Sequence, residues 1–382
     1  MRKNTVLYGV IFVAVLIASS SIGIAFAQTP SMNSSGAAAT AATAATANAT
    51  TTTETTANQL QQSSSNSSTD QPRIINHTMG QTEITGTPER IVTLYSVFTS
   101  DVRALGVQPI GSVQHDGING WLTPIGLSLS DNVTDVGTQA EPNLETILQL
   151  QPDLIIGLGG VWGVHDELYE ELNAIAPTIV LDDTSSRDSG IDQLVLGKQN
   201  FMTIADTLNR HDEGLAYLER LEAIYGDAAK KIELAGQNGT KFVMVQAILE
   251  NDVPIAYVFT ENSFTTKVLN KIGLVNEIPD PIDTVDKWYQ TGIEGLTTVD
   301  KPDTHLFFTY DAGQYDTNPL EKSPLWGDLE FVKDGQAHDI AHARVFGQVI
   351  FIEQIVNNVV DTLAEEQQQQ QSMSANQTSA VS

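Results

Sequence analysis

Short, wholly apolar runs recur along this chain between stretches of helical spacing, and that alternation constrains the fold more than any other feature. Ile91-Val92-Thr93-Leu94 is followed by the helical pattern Val102, Leu105, Val107, and then by a second strand from Pro109 to Val113. A strand that is apolar at every position is covered on both faces, which is the habit of a mainly parallel sheet sandwiched by helices. The pattern continues with a one-sided helix from Asn143 to Leu150, Asn143 being placed to cap it, and the strand Leu154 to Leu158. A helix from about Asp166 to Ile175 is then broken at Pro177 and leads to the strand Thr178 to Leu181.

The same grammar resumes at Lys241. A strand through Val245, a turn at Glu250-Asn251-Asp252, a strand Ile255 to Phe259, a helix from Ser263, a strand Leu306 to Thr309 and a closing helix Gly347 to Leu363 follow in order. Between Arg73 and Ala364 lie about 290 residues, more than one hydrophobic core usually holds, so two lobes are expected. From Asp212 to Ala235 there is no proline, and Leu215, Leu218, Leu221, Tyr225, Ala229 and Ile232 keep helical spacing; one such helix would be roughly 36 Å long. A rigid helix between lobes restricts closure and implies a preformed cleft. The fold class expected is therefore α/β: two Rossmann-like α/β lobes joined by one long α-helix, with the ligand cleft between the lobes.

The ends of the chain read differently. Arg2 and Lys3 precede an apolar run over residues 6–27 that ends Ala25-Phe26-Ala27, the pattern of an export signal, and the run is also long enough to serve as an uncleaved anchor. Residues 1–27 are read as signal peptide or N-terminal membrane anchor, 28–72 as a disordered Ala/Thr/Ser/Asn stalk, 73–195 as the first lobe, 196–238 as the interlobe helical segment and 239–364 as the second lobe. The Gln-rich stretch 365–382 is assigned no structure. Forty-seven acidic against 19 basic residues give a formal net charge of −28, which argues against a nucleic-acid partner, and the absence of cysteine removes thiolate metal sites, disulfides and a lipid-modified cysteine.

Several phrases carry a family resemblance: Pro88-Glu89-Arg90-Ile91-Val92, Ala104-Leu105-Gly106-Val107, Pro142-Asn143-Leu144-Glu145-Thr146-Ile147, Gln151-Pro152-Asp153-Leu154-Ile155-Ile156 and, later, Pro324-Leu325-Trp326 before Val332-Lys333-Asp334-Gly335. In this order they resemble the periplasmic-binding family for iron–siderophores, haem and cobalamin, whose lobes are joined by a single long helix. The usual Pro-Asp before the second-lobe strand is here spread into Lys301-Pro302-Asp303-Thr304-His305. The resemblance implies a monomeric, extracytoplasmic, non-enzymatic component of an ABC importer, with no intrinsic cofactor, delivering a ferric siderophore to a membrane permease driven by a cytoplasmic ATPase. By motif position it also makes Glu145 and Glu294 the carboxylates that dock to the permease.

Open α/β sheets bind ligands beyond the carboxyl ends of their strands. Loops there would offer Tyr95, Trp121 and Trp162 from the first lobe, and Tyr257, Trp288, Tyr310 and Arg344 from the second. Aromatic rings suit a large, partly apolar chelate, and the Arg344 guanidinium suits its oxygens. Two alternatives stay open. One is a direct Zn, Mn or Cu site drawing on His342, His115 and His165, with His338 four residues from His342; the other is an adhesive or sensory surface module.

Overall fold

The computed structural model describes residues 72–160, 165–182, 192–279, 287–310, 315–340, 344–345 and 349–381. The described chain opens with β1 (Arg73–His77) and β2 (Gly80–Ile84), an antiparallel hairpin. There follow β3 (Ile91–Thr93), α1 (Ser96–Ala104), β4 (Gly111–Ser112), α2 (His115–Leu122), β5 (Thr134–Asp135), α3 (Leu144–Leu150), β6 (Leu154–Gly159), α4 (Tyr169–Ile175) and β7 (Thr178–Asp182). Strands β3 to β7 form one all-parallel sheet in the order β5-β4-β3-β6-β7. The opening hairpin leans on its β7 edge, with the Thr78 amide donating to the Val180 carbonyl and the Thr82 hydroxyl to that of Thr178.

The period-two logic of the apolar strands is visible in where their side chains go. Ile91, Leu154, Ile156 and Leu158 enter one core, while Val92, Leu94 and Ile155 enter another on the opposite face. Asn143 caps α3 as its sequence suggests, its side-chain oxygen accepting from the Thr146 amide at 2.9 Å. Trp121, expected in a loop, lies in a helix, α2, formed by residues 115–122. Ile118 and Leu122 supply the buried side of that turn and are fully enclosed, which the glycines Gly117 and Gly120 obscure in the sequence.

Among the described residues, two helices lie between the sheets in the chain: α5 (Gln193–Thr207) and the long α6 (His211–Leu234). The 24 residues of α6 match the expected helix in length, but its buried stripe is Gly214, Leu221, Tyr225, Ala228 and Ile232, and Leu215 is exposed. The stripe turns because α5 packs along it: a Cβ at Gly214 would stand 2.7 Å from that of Ala205. Glycine is required there by the close approach of the two helices.

The second sheet begins with β8 (Lys241–Glu250) and β9 (Val253–Phe259), followed by α7 (Phe264–Lys271), β10 (Val275–Asn276), β11 (Trp288–Gly292), α8 (Ile293–Leu296), β12 (Thr304–Thr309), α9 (Glu330–Lys333), β13 (Ala337–Asp339) and α10 (Ile352–Val381). Its order is β11-β9-β8-β12-β13, with β10 also on β8. It is mixed rather than parallel, because Asn251 and Asp252 take left-handed conformations (φ 50° and 66°) and fold β8 and β9 into an antiparallel hairpin. Trp288, expected in a loop, lies on the edge strand β11.

Phe242, Met244, Phe259 and Phe307 point from this sheet into the same core as Ile91 and Leu154, together with Phe201, Tyr225 and Phe264 from the helices. One apolar core thus runs from sheet to sheet through α5, α6 and α10. The expectation of an unstructured tail from residue 365 is corrected: α10 continues to Val381, a stretch of Ala, Glu and Gln that holds good helix formers and neither proline nor glycine.

Candidate ligand crevice

Tyr95 stands directly beyond β3 as the residue preceding α1, half-buried, with its ring edge-on to Phe98 at 5.1 Å. Trp121 lies in α2, which follows the carboxyl end of β4. Arg344 follows the carboxyl end of β13 and is fixed by its neighbour: Val345 is buried, and its carbonyl accepts from the Thr265 hydroxyl at 2.6 Å. The Arg344 guanidinium carbon sits 3.2 Å from the centroid of the Trp121 ring. A side chain of each sheet's carboxyl edge therefore meets the other in a cation–π stack.

The remaining expected residues divide. Tyr257 on β9 and Trp288 on β11 pack edge to face at 4.8 Å, on the side of the second sheet that carries Phe259. Tyr257 is level with Thr309, the last residue of β12, through Gln246 of β8. Tyr310 lies one residue beyond β12 but on the other side of the sheet, against the second-lobe core. Its hydroxyl is engaged with Asp339, and burial raises its pKa. Trp162 falls outside the described residues, as does His342.

His165 is held against the end of β6 by its own ring. The His165 Nδ1 accepts from the Leu158 amide at 2.8 Å, and its Nε2 is 3.0 Å from the Gln139 carbonyl, which requires the proton on Nε2. Burial depresses its pKa to about 4, so the ring is neutral at physiological pH. Both nitrogens are committed, so His165 has none to offer an ion. His115 bonds the Ser130 carbonyl at 3.2 Å. Of the set His342, His115 and His165 considered for a direct ion site, His165 is thereby withdrawn, and His342 lies outside the described residues.

Glu145 and Glu294 are both exposed and occupy equivalent places. Glu145 is in the first turn of α3, which follows the edge strand β5; Glu294 is in the first turn of α8, which follows the edge strand β11. A helix start favours a carboxylate. The two stand at the carboxyl edges of the two sheets, the same end of each sheet that carries the crevice residues.

Two α/β sheets joined through a continuous core, with residues of their carboxyl edges in contact, are the architecture of a solute-binding protein. The chain belongs to the periplasmic binding protein family, whose model matches residues 91–341. It is 31% identical over 274 residues to the Fe(3+)-citrate-binding protein of Bacillus subtilis (strain 168), covering 72% of this chain and 79% of that one. It is 25% identical over 265 residues to the iron(3+)-hydroxamate-binding protein of Escherichia coli (strain K12), covering 69% and 83%. Among solved structures, the Fe3+-Desferal-bound siderophore binding protein of Vibrio cholerae superposes with a TM-score of 0.63 at 23% identity, covering 72% of this chain and 98% of that one. The likeness to the last is one of fold.

Proposed function

We propose that this chain is the extracytoplasmic substrate-binding component of an ABC importer, and that its substrate is a ferric siderophore or a related ferric chelate. The observation that carries the proposal is the Trp121–Arg344 stack at the meeting of the two carboxyl edges. It offers an aromatic face for the organic part of a chelate and a planar cation for its oxygens. Tyr95, Tyr257 and Trp288 are proposed to extend that surface, with Trp162 and Tyr310 as the further aromatic candidates. Family membership and the names of the relatives support the same reading.

Glu145 and Glu294 are the contacts proposed for the permease, because two separated carboxylates on a rigid body fix orientation as well as adding attraction to a basic partner. Among the described residues no helix is long and apolar enough to cross a membrane; residues 6–27, proposed as leader or tether, lie outside them. The test is intrinsic tryptophan fluorescence of the full chain titrated with ferric citrate, ferric hydroxamates, ferric catecholates, haem and cobalamin. Saturable quenching by a ferric chelate, weakened about tenfold in Arg344→Ala, which removes a partly desolvated cation, is the expected result. Quenching by haem or cobalamin alone, or by none of the panel, would overturn the reading.

A further inference from the structure

A second constellation lies at the opposite end of the second sheet, where the strands begin. His305 is the second residue of β12 and His338 the second of β13, and the parallel register sets Phe307 beside His338, so the side chains of His305, Phe307 and His338 share one face. The two imidazoles stack at 5.2 Å between centroids and 22° between planes. Over them runs α10, whose buried stripe Ile352, Ile355, Val356, Val359 and Leu363 continues three residues further into Glu366. A glutamate thus replaces the apolar residue that helical spacing calls for, and it meets two histidines.

The geometry is that of a ligand set. The His305 Nδ1 is 3.0 Å from the His338 Nε2. One Glu366 oxygen is 3.2 Å from the His338 Nε2, and the other is 3.7 Å from the His305 Nδ1. Tetrahedral zinc with bonds of about 2.0–2.2 Å holds its ligand atoms about 3.3–3.5 Å apart, so these separations are close to three edges of such a tetrahedron. The side chains are 10%, 9% and 19% exposed for His305, His338 and Glu366. Without an ion one imidazole donates a hydrogen bond to the other; a cation in place of that proton would gain two ring nitrogens and a carboxylate oxygen at one point largely away from bulk water.

A cavity of about 410 Å³ adjoins His305 and Glu366, and Asp303, Asp334 and Gln336 are among its other walls, so water or a further oxygen can complete the coordination. Among the described residues this is the one group of three or more such side chains close enough to hold an ion.

We infer that His305, His338 and Glu366 form a binding site for a divalent transition-metal ion, separate from the ligand crevice, that clamps the C-terminal part of α10 to the amino edge of the second sheet. The inference does not rest on the transport role. Two imidazoles and one carboxylate suit first-row ions such as zinc, and suit calcium or magnesium poorly.

The test uses the full chain, stripped with a chelator, and Zn2+ as the probe, followed by equilibrium dialysis and by Co2+ absorption spectroscopy. One equivalent of Zn2+ should bind, and Co2+ should develop the visible absorption of a four- or five-coordinate site that Zn2+ abolishes. His305→Ala, His338→Ala and Glu366→Gln should each lose at least about tenfold in Zn2+ affinity, while His211→Ala, an exposed histidine on α6, should not. Ferric-chelate titration should be unchanged in Glu366→Gln, which separates this site from the crevice. Absence of the Co2+ bands in the unmodified protein, or Zn2+ binding indifferent to all three substitutions, would overturn the inference.

Discussion

His165→Phe tests the account of how a buried neutral imidazole is held against β6. The ring is fully buried, lies against Gly157 and has two hydrogen bonds. Phenylalanine keeps the shape and removes both, leaving the Leu158 amide and the Gln139 carbonyl without their partner, at a cost of about 2–4 kcal/mol at pH 7.5. The pH dependence has a definite sign. The folded-state pKa, about 4, lies below the ordinary 6.5, so the unfolded chain takes up a proton first. The stability from the neutral ring is complete above pH 6.5 and is lost as pH falls towards 4, by about 3 kcal/mol over that window. Phenylalanine has no such dependence. Urea unfolding of both proteins at pH 7.5 and pH 4.0 should show the gap between them closing by about 3 kcal/mol at the lower pH. An equal gap at both values would refute a buried neutral imidazole, whatever the absolute stabilities.

Other substitutions probe separate parts of the account. Gly214→Ala forces a methyl against Ala205 and should destabilise the chain by about 1–3 kcal/mol in denaturant melts, with ligand affinity retained. Glu145→Ala combined with Glu294→Ala should lower uptake in cells that carry the cognate permease and leave the fluorescence titration as it was; weakened ligand binding would argue against a docking role.

Much of the architecture is legible in the sequence because buried parallel strands write themselves as continuous apolar runs. Ile91 to Leu94 and Leu154 to Leu158 declare themselves this way, and Asn143 and Ser263 mark their helices by capping chemistry, each side chain accepting the amide three residues on. The antiparallel β8–β9 pairing was carried by Asn251-Asp252, a turn signal that fixes strand direction only once the left-handed conformations of both residues are seen. Helix α2 is not legible in the sequence because its buried residues, Ile118 and Leu122, are one turn apart among glycines and polar residues. The crevice was legible as residue types in loops after strands, but the partnership of Trp121 with Arg344 was not, since 223 positions of chain separate them and only the fold brings them together. The His305–His338–Glu366 group left no local signal for the same reason. Its ligands come from two strands and a helix, and Glu366 stands at the head of a glutamine run that reads as tail.

The most direct test is to locate iron. Crystals of the protein grown with a ferric chelate that quenches its fluorescence, measured at the iron absorption edge, should give one anomalous peak in the crevice at the carboxyl edges of the two sheets, beside the Trp121–Arg344 pair. A peak only at the amino edge of the second sheet, between His305, His338 and Glu366, or no ordered iron at all, would contradict the proposal that the chain binds its ferric ligand between the two sheets.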